Sequence, residues 1–173
     1  ACLRAIGDAI EDLGWHVSPD DAWLTLRGLR TMPIRMQEQA RSALRVAKWF
    51  QTRPEVSRVL FPVLPDDPNH ALWARDYTGA ASLFGVVMKG GTEAAAHALL
   101  DSLELFGIGY SWGGFESLAT PETHQMAYRE NPTPLEGPLL RFHVGLEDSE
   151  DLIADLEAGL AVWTAALTVE PEA

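Results

Sequence analysis

Cysteine and lysine are the scarcest of the chemistry-bearing residues in this 173-residue chain, with one of the first (Cys2) and two of the second (Lys48, Lys89). A lone cysteine excludes an internal disulfide and any thiolate metal framework, which suits a reducing compartment. Positive charge is also short: 13 Lys+Arg against 25 Asp+Glu leave a net charge of -12. Binding a phosphate backbone needs a basic stripe, so a nucleic-acid partner is excluded, and the acidic surface is read as serving solubility. No apolar run approaches the length of a membrane span and no signal peptide opens the chain, so the reading is cytoplasmic, without a membrane partner.

Several kinds of site are missing as well. The five histidines (His16, His70, His97, His124, His143) lack ligand spacing, so no metal site is expected and each is read as a surface or internally satisfied side chain. The glycine pairs 90–91 and 113–114 are too short for phosphate loops. Ser111 lacks a nucleophile-elbow context. The acidic run 147–151 fits capping and helix-dipole chemistry better than a catalytic acid pair. Lys48 and Lys89 are read as solvent-facing charges.

What is present is an ordinary globular composition, 47% hydrophobic and 22% charged, with a length that suits one domain or one domain plus part of another. Leu3, Ile6, Ile10 and Leu13 stand at helical spacing before Gly14, and the chain opens inside that helix without a methionine, which is read as the continuation of a longer protein. Ser18-Pro19-Asp20-Asp21 starts a second helix, which Pro33 either kinks or divides, Thr31 being a possible new cap. Met36, Ala40, Ala43, Leu44, Ala47 and Phe50 then form the strongest amphipathic stripe, with Arg35, Arg41 and Arg45 largely off it.

Strands are predicted over 56–63, 81–89, just before Tyr110, and over 139–144. Thr92 caps a helix over 93–104, which Gly107 ends. Residues 120–138 hold four prolines and read as a surface loop with at most one short helix. Ser149 opens a last helix with the stripe Leu152, Ile153, Leu156, Leu160, Trp163 and Leu167, and residues 168–173 are expected to fray. This order predicts an α+β fold: a small antiparallel-rich sheet with helices packed on one side, preceded by a long linking helix.

In LLRFHV, residues 139–144, strand alternation sets Leu140, Phe142 and Val144 on one face and Leu139, Arg141 and His143 on the other. Pattern alone favours Arg141 in water about two to one. The alternative is a guanidinium fork that grips a carboxylate. For Trp112, core packing is the commoner fate of such a side chain.

Four runs settle more than the pattern does. YSWGGFESL at 110–118, LLRFHVGLEDSEDLIADLEAGL at 139–160, DAWLTLRGLRTMPIRM at 21–36 and PNHALWARDYTGAASLFGVVMK at 68–89 resemble, in order, the C-terminal part of the Cys/Met-metabolism family of pyridoxal-phosphate (PLP) enzymes of fold type I, and its bacterial cystathionine β-lyase branch in particular. The resemblance implies that Arg141 binds the substrate α-carboxylate and that Ser111, Trp112 and Tyr110 line the same pocket. It implies a thioether amino-acid substrate (cystathionine), a PLP cofactor and a homo-oligomer, a tetramer being usual in that family. Residues 1–30 correspond to the end of the large PLP-binding domain, 31–54 to an interdomain helix and 55–173 to the small domain. The family's Schiff-base lysine, its pyridine-binding aspartate and its phosphate cradle correspond to positions upstream of Ala1. The chain is therefore expected to carry no catalytic and no cofactor-binding residue, and to be inactive without an N-terminal PLP domain. Two other readings stay open: the same domain of a γ-synthase or γ-lyase, against which Trp112 speaks, and a non-catalytic α+β binding or oligomerisation module.

Overall fold

The computed structural model describes residues 2–168, which divide into two units between Arg35 and Met36. In the first unit α1 (Cys2–Leu13) ends at Gly14, whose φ of 67° is the left-handed turn that glycine takes without strain. Helix α2 (Pro19–Gln51) starts from Ser18, whose hydroxyl accepts from the Asp21 N–H at 3.1 Å. Pro33 does not divide α2. Thr31 is not a cap: its hydroxyl donates back to the Gly28 carbonyl at 3.2 Å, and Arg35 Nη2 donates to the same oxygen at 3.0 Å.

The second unit begins within α2. The face it buries is Gln39, Ser42, Ala43, Val46, Ala47 and Phe50, so the stripe read from sequence is right at Ala43, Ala47 and Phe50 but shifted: Met36 is exposed and two polar residues take core positions. Arg41 pairs with Glu38, and Arg45 with Glu150, at the surface.

Five strands form one sheet in the order β1-β2-β5-β4-β3: β1 (Val56–Leu60), β2 (Leu83–Met88), β3 (Gly107–Ile108), β4 (Leu118–Pro121) and β5 (Leu139–His143). The β1–β2, β2–β5 and β4–β5 pairings are antiparallel, and the short β3–β4 pairing is parallel. Strand β4 overturns part of the loop expected over 120–138. Its residues LATP pair with β5 through Thr120↔Arg141 and Pro121↔Leu140, and the proline is tolerated because it closes the strand. A 3₁₀ turn (Thr123–Tyr128) follows, and it is the short helix allowed there.

Three further helices complete the unit: α3 (His70–Asp76), α4 (Glu93–Asp101) and α5 (Ser149–Thr168). Thr92 caps α4 as expected, accepting from the Ala95 N–H at 3.2 Å. The helix stops before 104, because the Asp155 carboxylate of α5 takes the N–H groups of Glu104 and Leu105, both at 2.9 Å, and so holds the chain out of helical register. In α5 the buried stripe is Leu152, Leu156, Gly159, Leu160 and Trp163. Leu167 is exposed, and of the tail expected to fray only Thr168, still helical, lies within the described residues.

The core lies between one face of the sheet and the helices. Phe84, Val86, Leu140 and Phe142 of β2 and β5 pack with Val46 and Phe50 of α2, Leu99 of α4 and Leu156 of α5. Burial of these side chains is the dominant favourable term, about 1.5–3 kcal/mol for each large one. No helix among the described residues is long and apolar enough to cross a membrane.

Candidate substrate-facing site

The opposite face of the sheet carries the site. Strand register places Gly85, Arg141 and Thr120 side by side across β2, β5 and β4. Gly85 has no side chain to raise into that row, and an added methyl would meet the Leu139 and Leu60 side chains at 3.3–3.4 Å. A cavity of about 400 Å³ lies there, lined by Leu60, Gly85, Tyr110, Glu122, Arg129, Leu139 and Arg141 among others.

Arg141 is neither in open water nor in the core: its side chain is 23% exposed. Its Nε lies 3.5 Å from Glu122 Oε1, its Nη2 donates to the Gly109 carbonyl at 3.4 Å, and its guanidinium carbon stands 5.5 Å from the centre of the Tyr110 ring. Glu122 is buried and fixed in turn by the Thr120 hydroxyl, which donates to Oε1 at 2.7 Å. One edge of the guanidinium is thus held by a carboxylate and one face by an aromatic ring, while Nη1 has no protein partner among the described residues. Such a fork presents planar donors to an incoming carboxylate.

The other residues singled out from sequence fall unequally. Tyr110 is beside Arg141, although 60% exposed. Ser111 and Trp112 point outward, Trp112 at 67% exposure, and neither lines the cavity. The structure therefore brings two of the four together.

His143, on the same face of β5 as Arg141, is 1% exposed, which is the internally satisfied of the two readings that the sequence allowed for it. Loop 109–116 covers it. The Gly113 N–H reaches its Nε2 at 3.2 Å, Ser82 Oγ lies 2.7 Å from Nδ1, and the Gly114 carbonyl lies 3.4 Å from Nε2. Gln39 of α2 meets the same loop, donating from Nε2 to the Gly114 carbonyl at 2.5 Å. Sequence reasoning passed over Gln39, Ser82 and Glu122, and it named His143 without giving it a place in the site. For Gln39 a signal existed, a polar residue at i, i+4, i+7 and i+11 with Ala43, Val46 and Phe50. The burial of Glu122 had none.

Burial holds the His143 imidazole below its ordinary value of 6.5, with the Arg141 charge acting in the same direction; the Gly114 carbonyl and the Glu147 carboxylate oppose it. Because the folded value lies below the unfolded one, the unfolded chain takes up the proton first as pH falls. Stability owed to the neutral ring is therefore complete above pH 6.5 and is lost as pH drops from there through the folded value. Urea midpoints followed from pH 7.5 to pH 5 are expected to fall, and to fall less steeply in His143→Gln. Parallel profiles would sink this assignment.

With this geometry in place, comparison with known proteins is decisive at the level of family. A cystathionine beta-lyase of Bordetella avium is 49% identical over 149 residues, covering 86% of this chain and 37% of that protein. The cystathionine beta-lyase of Escherichia coli K12 is 44% identical over 166 residues, covering 92% of this chain and 42% of its own length. Among solved structures, a cystathionine gamma synthase from Xanthomonas oryzae pv. oryzae, in complex with aminoacrylate and cysteine, superposes with a TM-score of 0.76 at 37% identity over 89% of this chain and 41% of that one. This chain thus spans about two fifths of the length of such relatives. The family model described as Cys/Met metabolism PLP-dependent enzyme matches residues 3–161, and the chain belongs to that family.

Proposed function

We propose that this chain supplies the C-terminal, substrate-binding domain of a PLP-dependent cystathionine β-lyase, a cytoplasmic homo-oligomer. That enzyme cleaves cystathionine by β-elimination to homocysteine, pyruvate and ammonia. Residues 1–30 then belong to the large PLP-binding domain, 31–54 to the interdomain helix and 55–173 to the small domain. The observation that carries the reading is Arg141, held by Glu122 and Tyr110 with donors free at the mouth of a cavity. In support, the two β-lyase relatives are more similar to this chain than the γ-synthase structure, at 49% and 44% against 37% identity.

The residues of this chain do not fit the cofactor by themselves. PLP chemistry needs an amine that forms an imine with the cofactor and then serves as base at the α-carbon. Lys48 and Lys89 are exposed, and neither lines the Arg141 cavity. The role left to the chain is recognition: Arg141 takes the α-carboxylate and Tyr110 shields that ion pair from water, while Ser111 and Trp112, exposed outside the cavity, meet the part of the substrate that extends beyond it.

Mixed with PLP and cystathionine, the 173-residue chain is expected to release no pyruvate. Joined to a PLP-binding large domain, it is expected to restore release. Pyruvate from the chain alone would assign chemistry to Lys48 or Lys89 and overturn the recognition role; none from the joined protein with PLP bound would remove the lyase reading.

A further inference from the structure

Two buried polar side chains converge on the backbone of one loop. Gln39 sits at a core position of α2, 4% exposed, and its one hydrogen bond among the described residues goes to the Gly114 carbonyl. His143 is 1% exposed, with Nδ1 against the Ser82 hydroxyl and Nε2 against the Gly113–Gly114 backbone, where it either accepts from the Gly113 N–H or donates to the Gly114 carbonyl according to the tautomer. Apolar side chains would fill both places without the desolvation that a buried amide and imidazole incur, so stability alone does not account for them. The glycine pair, too short for a phosphate loop, takes its meaning from the same contacts. Gly113 has φ 81°, a left-handed conformation that aims its N–H at the imidazole, and the next carbonyl turns in toward Gln39.

We propose that Gln39 and His143 are positioning residues that clamp Gly113–Gly114 and thereby set Tyr110, Ser111 and Trp112 in register with Arg141. His143 and Arg141 are two residues apart on one face of β5, so a single strand carries both the carboxylate grip and the pin for the neighbouring loop. The far end of the loop is fixed separately: the Ser117 hydroxyl donates to Glu147 and accepts from the Gly145 N–H, both at 2.8 Å, and the Leu146 N–H bonds the Phe115 carbonyl at 2.8 Å. The stretch 110–112 lies between these anchors and its pairing in β3, and it has no other tie to the sheet among the described residues than the Tyr110–Arg141 contact. This inference rests on the proposed substrate role of that stretch.

Amide hydrogen exchange in the 173-residue chain, followed by NMR, tests the clamp apart from that role. In His143→Leu, and in the near-isosteric Gln39→Met, exchange at Gly113 is expected to speed up about tenfold or more as local opening becomes easier, with the sheet amides of β2 and β5 unchanged. His143→Gln, whose side-chain oxygen can take the Gly113 N–H, is expected to restore much of the protection. In the joined enzyme the same variants should raise KM with kcat nearly held, and His143→Gln should again rescue. Unaltered Gly113 exchange in both clamp-breaking variants would overturn the proposal. Loss of protection throughout the sheet in both would also overturn it, since the pair would then serve folding rather than loop placement. A clamp visible by exchange without any change in KM would remove the substrate role of 110–112 and leave the clamp standing.

Discussion

Replacing Arg141 by alanine in the complete enzyme is expected to lower kcat/KM for cystathionine by roughly 30- to 150-fold, mainly through KM. The range follows from a desolvated charge pair, for which losing one partner costs about 2–5 kcal/mol. The lower part applies because the Arg141 side chain is still 23% exposed, so solvent screens part of the interaction. The discriminating control is a substrate whose α-carboxylate has become an amide: if Arg141 grips that group, the variant and the parent should use the amide equally poorly. Lysine is expected to recover only part of the loss, since one ammonium cannot reproduce a fork held at one edge by Glu122 and on one face by Tyr110. Unchanged kinetics with cystathionine would make Arg141 an ion-pair partner of Glu122 and nothing more.

How much of this was legible in the sequence differs between the two faces of one strand. On the core side, period-two alternation in LLRFHV was sufficient, and Leu140, Phe142 and Val144 are all fully buried. On the other side it misled, because alternation cannot show what covers a face. Loop 109–116, some thirty positions upstream, folds over His143 and brings Tyr110 to Arg141 through contacts that have no local signature. Strand β4 was hidden for a related reason. LATP has weak strand propensity and a proline, and it is held in the sheet by β5 on one side and β3 on the other. Gln39 illustrates a third limit: the helical period located the buried stripe approximately, but a search for apolar residues steps over a polar one whose partner, Gly114, is 75 residues away. The resemblance to a family supplied what the pattern could not, a reason to look at Arg141, Ser111, Trp112 and Tyr110 together. The geometry joins Arg141 and Tyr110 and leaves Ser111 and Trp112 facing outward.

Phe142→Ala is expected to be the most destabilising single change in the sheet, at about 3–5 kcal/mol, from lost transfer energy plus the cavity left behind. The ring is fully buried and is the junction of an aromatic cluster. Its centroid lies 5.1 Å from that of Phe50 on α2, 5.9 Å from that of Phe84 on β2 and 5.5 Å from that of Phe106, which follows α4 and meets it edge-on. These neighbours come from different elements, so the hole cannot be closed by the shift of one of them. A domain of this kind has a total stability of only about 5–15 kcal/mol, so the variant is expected to unfold at a much lower urea concentration. Phe142→Leu keeps most of the volume and should cost markedly less, which separates cavity formation from any special need for an aromatic ring. Phe142 also stands between Arg141 and His143 on β5, with its side chain on the opposite face. The ring therefore fixes the strand from below while the guanidinium and the imidazole act above it. A urea midpoint for Phe142→Ala close to that of the parent would mean that the helices, and not this ring, hold β5 in place.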